Sequence, residues 1–597
     1  MRFAVAARSR RALVPILGAV LAATVLTSLA AAQSTTDPRV GLEAGLTSPG
    51  IAASGIELLK NTPKPAGFFD PANPGSFGFV NSDLAFEGNH AFIGNFNGFQ
   101  IYDISDPANP ALVTAVVCPG GQGEVSVYGN LLFMSVEESR GRVDCGTNPA
   151  VGTRFQGVRV FDITNLANPV QVAAVQTCRG SHTHTLLKSP RDDANLYVYV
   201  NGTTTPRPAS TLAGCKDLPP PVTTASLAPP QFDQDLSRWQ IEVIKVPLAA
   251  PQNAAVVNEA RLMGDPVTGQ LNVLQNAPPT PLHPSGTAWS PVPITDACHD
   301  ITVFPALDIA AGACEGNGIL IDISDPANPR RTAVAQDNNF AYWHGATFSN
   351  DGKTVVFTDE WGGGTSARCR ATDQLNWGAD AIYEIVDGQL VFRSYFKMPA
   401  AQTIQENCVS HLPSLVPVPG RNVMTQAWYQ AGISMIDFTD PANPKEIGYW
   451  DRGPISATSL VLGGLWSSYW YNGSVYGSEI ARGFDSFKLT PTAELSVNEI
   501  EAANEVVFDR LTPQHQTQYV NEPSFAVVRS YRDQAVRAGD LEGELLEQVD
   551  KFVDRAEEFA EEGKDAAAKA QLNALANQLT ADELAALRDA LRALAEE

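Results

Sequence analysis

The sequence predicts an all-β protein, a seven-bladed β-propeller, with a small α-helical domain appended at its C-terminus. One strand-and-turn unit recurs four times in the chain, and the spacing of its copies leaves room for degenerate units between them. Beyond about residue 494 the composition shifts to Ala, Glu and Leu with few turn residues, which indicates the helical domain.

The recurring unit is an apolar, alternating strand that ends at an Asp and is followed by a turn rich in Asp, Asn and Pro. Its copies occupy residues 99–110, 158–169, 320–329 and 434–444. The alternation is typical of a half-buried strand, and the Asp/Asn-Pro turn ends it because proline cannot continue a β-ladder. Further strands precede and follow each copy, and four strands joined by tight turns make a propeller blade.

The distances between copies predict two further blades. The aspartates that end the recurring strands, Asp103, Asp162, Asp322 and Asp437, are separated by 59, 160 and 115 residues. The two longer gaps each hold an additional degenerate strand, at residues 239–246 and 381–385. Each gap is therefore expected to contain a complete extra unit.

The last blade needs a strand from the other end of the chain. Residues 465–489 supply three strands, and residues 55–60 form a strand without a local partner. Pairing the two segments would close the ring and remove both exposed edges, which gives seven blades. Six or eight blades, or an array of sandwiches, are the alternatives.

The N-terminal residues 1–32 are predicted to be a signal peptide. Four arginines precede an apolar run over residues 13–29, and Ala30, Ala31 and Ala32 offer a cleavage site. Residues 9–14 resemble a twin-arginine signal, which exports folded proteins; a general secretory signal and an uncleaved anchor are the alternatives. No later segment is apolar enough to span a bilayer, so we expect a secreted or cell-surface protein. Residues 33–51 are expected to be a linker.

Charge and cysteine content fit an extracytoplasmic protein that does not bind nucleic acid. The chain carries 41 Lys and Arg against 65 Asp and Glu, a formal charge of −24, which is the wrong sign for a polyanion partner. Its 8 cysteines are predicted to form disulfides. Eight cysteines allow 105 pairings; we favour sequential pairing, in which each bond closes a local loop.

The repeated strand-Asp-[Ile/Phe]-[Ser/Thr]-Asp-Pro-Ala-Asn-Pro units resemble those of LVIVD-repeat proteins, exported β-propellers of bacteria and archaea. The resemblance covers about residues 55–489. It implies the propeller fold and an extracytoplasmic location, and says almost nothing about activity. The predicted propeller spans residues 52–495.

Residues 496–597 are predicted to form an acidic helical domain. Apolar residues between Leu545 and Ala560 follow helical spacing, and Gly563 can end that helix. Residues 580–583 read as a capping box for a last helix. The acidic outer face is interpreted as a solvated surface rather than a binding site.

Candidate site residues come from a motif at the start of the innermost strands. His182, His299, His344 and His411 all fit the pattern His-x-x-[Ser/Thr]-apolar, and they fall in four successive blades. Innermost strands line the channel of a propeller, so these side chains are expected to converge near its axis. His184, two residues after His182, and Glu124 are candidate additional ligands.

Three interpretations of the histidines stay open: a polar lining, a transition-metal site for copper, iron or zinc, and a site for an organic anion. A metal site has precedents among propellers, because the arrangement is similar to the four iron-binding histidines of carotenoid oxygenases. It is also similar to the histidines of copper-dependent methanethiol oxidases of the selenium-binding family. The other motifs of both families are absent from this sequence.

Four other features are given structural interpretations. Asp300 is expected to face away from the channel and support strand packing. The acids of residues 359–364 are assigned to a solvated turn, and the aromatic cluster 466–470 to the core of blade 7. The proline-rich segment 206–230 is predicted to loop over one rim.

The sequence therefore favours an exported propeller that binds a ligand or a protein partner, with rim loops available for the partner. The alternative is an extracytoplasmic metal-dependent oxidoreductase with its active site on the propeller axis. Sequence motifs of the common NTPases, esterases and zinc proteases are absent, and no catalytic residue can be named.

Overall fold

The structure is a computed structural model that describes residues 33–148, 154–217, 236–264, 283–285 and 295–597. The strands in these ranges form seven separate antiparallel sheets, the blades of a seven-bladed propeller. The predicted fold class is confirmed. The predicted signal peptide, residues 1–32, and residues 218–230 of the proline-rich insert lie outside the described residues.

The blades follow one another along the chain, after two strands near the N-terminus, β1 (Ile51–Ser54) and β2 (Ile56–Thr62). Blades 1 and 2 consist of β3 (Asn81–Glu87), β4 (His90–Asn95), β5 (Gly98–Asp103), β6 (Ala111–Val117), β7 (Val125–Tyr128), β8 (Leu131–Val136), β9 (Gly157–Asp162) and β10 (Val170–Gln176). Blades 3 and 4 consist of β11 (Thr183–Leu187), β12 (Asn195–Asn201), β13 (Ile241–Pro247), β14 (Ala255–Ala260), β15 (Asp300–Phe304), β16 (Ile309–Cys314), β17 (Asn317–Asp322) and β18 (Arg330–Ala335).

The remaining blades complete the ring. Blades 5 and 6 consist of β19 (Trp343–Phe348), β20 (Thr354–Asp359), β21 (Asp380–Val386), β22 (Gln389–Phe396), β23 (Pro413–Val416), β24 (Val423–Ala427), β25 (Ile433–Asp437) and β26 (Lys445–Arg452). Blade 7 consists of β27 (Leu465–Tyr471), β28 (Ser474–Glu479), β29 (Gly483–Leu489) and the N-terminal strand β2.

The ring closes through the predicted pairing of its two ends. Strand β2 pairs antiparallel with β29, with Ile56 opposite Leu489 and Thr62 opposite Phe484. Strand β1 adds a fifth strand to the outer edge of blade 6 by pairing with β26. The N-terminal segment thus covers the outer edges of two neighbouring blades.

A register shift marks the same place in every blade. The pairing of the third with the fourth strand is interrupted by one unpaired residue in all seven sheets, including the closure of β29 by β2. Such bulges increase the local twist, which an outer propeller strand needs. The shared bulge shows that the degenerate units and β2 are structurally equivalent to the recurring copies.

The turn of the recurring unit is held by its own side chains. In blade 1, the Asp106 carboxylate accepts hydrogen bonds from the Ala108 amide at 3.0 Å and from the Asn109 side chain at 2.7 Å. Asp325 and Asp440 make the same pair of bonds in blades 4 and 6. The motif is therefore explained by turn formation and needs no functional role.

Each interface between neighbouring blades has its own core. Separate clusters of buried apolar side chains fill the seven interfaces, and the cluster between blades 6 and 7 also contains Ile500 and Ala503 of the first helix. The stability of the ring is therefore distributed over many contacts between adjacent blades.

The disulfides pair sequentially, as predicted. The bonds are Cys118–Cys145, Cys178–Cys215, Cys298–Cys314 and Cys369–Cys408, with sequence separations of 27, 37, 16 and 39 residues. All eight cysteines are used, so none offers a thiolate.

The C-terminal helices pack on the propeller. They are α1 (Val497–Asn504), α2 (Phe525–Ala538), α3 (Gly543–Glu561), α4 (Asp565–Ala576) and α5 (Ala585–Glu596). Glu499 of α1 is buried and forms ion pairs with Arg421 of blade 6 at 2.7 Å and with Arg537 of α2 at 2.6 Å. None of the described helices has the length and apolarity needed to cross a membrane.

One predicted cap in this region is wrong. A 3₁₀ turn, Asp582–Leu584, precedes α5, and its N-cap is Ala581, whose side chain makes no capping bond. The capping box observed in this region lies at the start of α1, where Ser496 and Glu499 satisfy each other's backbone amides. Thr580 does not cap α5, because a 3₁₀ turn lies between Thr580 and the first residue of that helix.

Residues 505–520, here called the C-terminal strap, cross one end of the propeller channel. Strand β30 (Arg510–Leu511) extends blade 1 inward by pairing with β3. Val303 of blade 4 exchanges backbone hydrogen bonds with Gln514 and Gln516 at 2.9 Å. These contacts lie at the C-terminal ends of the innermost strands, so the strap closes that end of the channel.

The strap carries a histidine that should make its attachment sensitive to acid. Burial lowers the pKa of His515 to about 4, and the Arg510 guanidinium acts in the same direction. The unfolded chain takes up this proton near pH 6.5, so the free energy of unfolding should fall as the pH drops from 6.5 towards 4. Between pH 7 and pH 5, the free energy of unfolding of the His515→Gln variant is expected to fall by about 2 kcal/mol less than that of the wild type. Urea denaturation at both pH values measures this difference, and equal losses in the two proteins would contradict it.

Candidate metal centre

The four predicted histidines lie at the other end of the channel, where the innermost strands of blades 3 to 6 begin. His182 and His299 directly precede β11 and β15, His344 is the second residue of β19, and His411 lies two residues before β23. The backbone amides of His182, His299 and His411 donate to carbonyls of the adjacent second strand, those of Asn201, Ala313 and Ala427, at 2.9, 2.8 and 3.1 Å. The equivalent bond places these residues at the same level of the propeller.

Their rings form a continuous arc. Ring centroids are 4.4 Å apart between His182 and His299, 3.9 Å between His299 and His344, and 4.2 Å between His344 and His411. The arc covers one side of the channel and leaves the opposite side to blades 7, 1 and 2.

In each ring, Nδ1 faces an oxygen acceptor. The Nδ1 of His182 bonds the Glu137 carboxylate at 2.6 Å, and that of His411 bonds the backbone carbonyl of Trp466. Asp300 faces the two middle rings, with its carboxylate oxygens 3.4 Å from His299 Nδ1 and 3.7 Å from His344 Nδ1. Acceptors at Nδ1 favour the tautomer that presents the Nε2 lone pair, as in histidines that ligate metals.

The Nε2 atoms lie close to one another and to a glutamate. His182 Nε2 and His299 Nε2 are 2.8 Å apart. Glu360 reaches the other two rings, with oxygens 3.9 Å from His344 Nε2 and 3.8 Å from His411 Nε2. The hydroxyl of Tyr429 donates to the Glu360 carboxylate at 2.6 Å and holds it in place.

The 2.8 Å between His182 Nε2 and His299 Nε2 is close to the separation of two ligands of one ion, whereas the 3.8–3.9 Å from Glu360 to His344 and His411 is wider. Atoms bound at about 2.1 Å to one metal lie about 3.0 Å apart at a right angle and about 3.4 Å apart in a tetrahedron. Two groups of three residues have ligand atoms within 4.8 Å of one another: His299, Asp300 and His344, and His344, Glu360 and His411. His344 belongs to both groups, which makes it the central residue of the cluster.

Several of these buried polar atoms lack a hydrogen-bond partner among the described residues. They are His299 Nδ1, His344 Nδ1, His411 Nε2 and both carboxylate oxygens of Asp300. An unpaired polar atom in a protein interior costs about 1–3 kcal/mol. An ion bound by the Nε2 atoms would complete only His411 Nε2, because the two Nδ1 atoms and the Asp300 oxygens face one another at 3.4 and 3.7 Å on the other side of the rings.

The electrostatics keep most of the arc neutral. Burial lowers the pKa of His299 and His344 well below the usual value, and lowers that of His411 to about 3. Although burial opposes it, the Glu137 carboxylate raises the pKa of His182. Neutral imidazole is the form of histidine that binds metals.

The two additional candidates lie deeper in the channel. His184 contacts Ser126 through Nε2 and Ser135 Oγ through Nδ1, the latter at 2.8 Å. Glu124 accepts a hydrogen bond from the His184 amide at 3.1 Å. Two residues along a strand correspond to nearly 7 Å, so the cluster contains neither of them.

Two interpretations of acidic residues are wrong. Asp300 does not face away from the channel, because its carboxylate lies between His299 and His344. Glu360 does not lie in a solvated turn; its amide bonds the Tyr342 carbonyl at 3.0 Å, and its side chain is buried beside the histidines. The alternation of side chains along a strand predicted opposite directions for His299 and Asp300. At the narrow end of the channel, however, both of these neighbouring side chains at the start of β15 reach the cluster.

Glu137 and Tyr429 were not predicted as site residues, although one sequence pattern points to Glu137 and Glu360. A glutamate ends or directly follows the second strand of four blades: Glu137, Glu315, Glu360 and Glu479. In a propeller the second strand ends beside the start of the first, at the channel mouth. A glutamate at that position, taken together with the histidine motif, is a sequence signal that could have predicted Glu137 and Glu360 as site residues.

A cavity of about 280 Å³ adjoins the cluster, and its lining is sharply divided. One wall carries His182, His299, His344, Glu137 and Glu360, whereas the opposite wall is apolar and includes Trp466. The prediction that residues 466–470 build the core holds for Trp470, which is fully buried, whereas Trp466 is half-buried, packs against a core cluster and also lines the cavity. The Trp466 ring packs beside His411, with centroids 5.1 Å apart.

Disulfides anchor the segments that carry the histidines. Cys178, Cys298 and Cys408 precede His182, His299 and His411 by four, one and three residues. The covalent links restrict the backbone next to three of the four rings and help to preorganise the site.

Comparison with known families agrees with this architecture. The family model described as "LVIVD repeat" matches residues 81–117, which are the four strands of blade 1. The chain is a seven-bladed β-propeller whose first blade matches the LVIVD repeat. The other six blades share the blade 1 bulge. Among curated proteins, none matches the chain significantly.

Solved structures that match the chain include three proteins with low sequence identity. A putative 6-phosphogluconolactonase from Bacteroides fragilis is 10% identical, with 68% of this chain and 89% of that chain covered and a TM-score of 0.36. A functionally unknown protein from Desulfotomaculum acetoxidans is 9% identical, with 63% and 90% covered and a TM-score of 0.35. Hydrazine synthase from Kuenenia stuttgartiensis is 12% identical, with 69% and 95% covered and a TM-score of 0.38. At these values they lend no support to a shared activity.

Proposed function

We propose that this propeller is a secreted or cell-surface protein that binds a transition-metal ion at its channel mouth and uses the ion to hold a small ligand. The ion would be coordinated by Nε2 atoms of His182, His299, His344 and His411, with Glu360 as an oxygen ligand. Imidazole and carboxylate donors suit copper, iron and zinc. Export is supported by the four disulfides, which form in oxidising compartments.

The observation that carries the proposal is the shared orientation of the four rings. Each Nδ1 faces a carboxylate or carbonyl oxygen. The Nε2 atoms of His182 and His299 are 2.8 Å apart, and those of His344 and His411 lie 3.8–3.9 Å from Glu360. A polar channel lining would need no such common orientation. The interpretation as an organic anion site is disfavoured because Glu137 and Glu360 would face the anion.

Metal analysis tests the proposal directly. Protein purified without a histidine tag, stripped with a chelator and titrated with Cu²⁺, Zn²⁺ or Fe²⁺ is expected to rebind one equivalent tightly. Electron paramagnetic resonance of the copper form should show hyperfine splitting from several imidazole nitrogens. Failure of the stripped, folded protein to rebind any of the three metals would refute the proposal.

A metal-dependent oxidoreductase is the second candidate function. It is favoured by the cavity beside the histidines, through which a substrate could reach an ion with open coordination positions. Copper- or iron-loaded protein would then consume dissolved oxygen with ascorbate as electron donor. The His344→Ala variant would be inactive in the same assay, whereas equal oxygen uptake by both proteins would exclude the candidate.

A further inference from the structure

We infer that the cavity beside the histidine arc receives a small, uncharged aromatic molecule with a single donor oxygen, of which a simple phenol is the type. The position of the donor oxygen near the ion rests on the proposed metal site. The aromatic character and the neutrality of the ligand rest on the cavity itself.

The wall opposite the histidines has the composition of a pocket for an apolar ring. It is formed by Phe77, Val80, Phe96, Leu462, Trp466 and Ile480. These residues come from blades 1 and 7 and the loops beside them, on the side of the channel that the histidines leave free. A ligand between the two walls would have its polar end at the arc and its apolar body against this wall.

The aromatic side chains of this wall are set at angles to one another. Phe77 and Phe96 have centroids 6.0 Å apart and planes inclined by 53°, and Phe96 and Trp466 are 6.4 Å apart at 73°. Trp466 continues the series to His411 with a 73° inclination. Tilted rings of this kind offer both faces and edges to a further aromatic ring.

Phe77 lies at the entrance and is 52% exposed. A large apolar side chain exposed at the mouth of a cavity is typical of a binding site, because the ligand removes its surface from water. The exposed ring therefore supports an apolar ligand.

In the metal-free cavity, charge disfavours anionic ligands. The described residues that line the cavity include Glu137 and Glu360 and neither lysine nor arginine. A carboxylate on the ligand would lie near these acids without a cationic side chain to offset the repulsion. An uncharged ligand avoids this cost.

Size limits the ligand to about one ring. The volume of about 280 Å³ is at the lower limit of small-molecule pockets, which begin near 300 Å³. A single substituted ring fits, whereas an oligosaccharide or a folded peptide does not.

Calorimetric titration with 4-ethylphenol tests the inference, on metal-free and on metal-loaded protein. We expect 4-ethylphenol to bind both forms. In the metal-free protein it should bind at least 10-fold more tightly than 4-hydroxybenzoate, which is charged, or 4-ethylcyclohexanol, which is not aromatic. Loading with metal should strengthen 4-ethylphenol binding further. Equal affinity for the three compounds would overturn the inference.

Two variants separate the cavity from other aromatic surfaces. Trp466→Ala keeps the backbone carbonyl that bonds His411 and should weaken 4-ethylphenol binding about 10-fold. Phe392→Ala removes a 42% exposed ring on the outer strand of blade 5 and should have no effect. If Trp466→Ala does not fold, Phe96→Leu replaces it, with the same expectation. An unchanged affinity in the folded cavity variant would overturn the inference.

The outcomes also distinguish the inference from the proposed function. Metal binding without selective 4-ethylphenol binding would refute the aromatic ligand and leave the metal site standing. Selective 4-ethylphenol binding by a protein that rebinds no metal would refute the metal site and support the aromatic cavity.

Discussion

Replacing His344 by alanine is expected to abolish tight metal binding, because this residue belongs to both groups of potential ligands. Its ring lies between those of His299 and His411, 3.9 and 4.2 Å away, so its removal divides the arc in two. Even the loss of a group that only orients a metal ligand typically costs 10–100-fold in affinity. We therefore expect the affinity of the His344→Ala variant to fall at least about 100-fold.

Two further variants make the measurement specific. Asp300→Asn retains the arc but changes the acceptor facing two Nδ1 atoms, so an intermediate loss of about 10–100-fold is expected. His90→Ala removes an imidazole from β4, outside the cluster, and should leave the affinity unchanged. Competition titrations against a chelator of known affinity measure all three. Wild-type affinity in the His344→Ala variant would show that any bound metal lies elsewhere.

The second large effect is expected at the strand that closes the ring. Ile56 of β2 is 2% exposed and packs in the cluster between blades 6 and 7. Ile56→Ala would leave a cavity at the point where the two ends of the propeller meet, at a cost of about 2–5 kcal/mol. The midpoint of urea denaturation, followed by tryptophan fluorescence, measures the loss.

Ile51 offers the same substitution on the neighbouring strand. It lies in β1, is 53% exposed, and covers the edge of blade 6 without closing the ring. Ile51→Ala is expected to change the stability by less than about 0.5 kcal/mol. Equal losses in the two variants would mean that β2 contributes no more to stability than an ordinary edge strand.

The sequence was sufficient to predict those parts of the fold that depend on local repetition. The recurring Asp-Pro-Ala-Asn-Pro turns marked four blades, and the gaps between them correctly predicted two more. The pairing of β2 with β29 followed from counting, since each was the only partner left for the other. Sequential disulfides followed because loop closure favours near neighbours in a repeat protein.

The candidate site was predictable only where it repeats. The four histidines occupy equivalent positions in successive blades, so one pattern finds them all. Glu360 shares the end of the second strand with glutamates of three other blades. Asp300 and Trp466 do not recur, and their placement depends on how chain ends and loops pack at the channel mouth. The C-terminal strap has neither strand alternation nor helical spacing, and the contacts that place it are made by innermost strands hundreds of residues earlier in the chain.

The strap also determines how molecules can travel to the histidines. A propeller channel open at both ends would admit a ligand from one side and release it from the other, but residues 508–519 occupy the far end of this one. In the part of the chain that the structure describes, entry and exit therefore share the opening beside the histidines, and a molecule that has entered must leave before the next can arrive. A polymer could present only a free end or a protruding side group to the site, since a continuous chain cannot thread through.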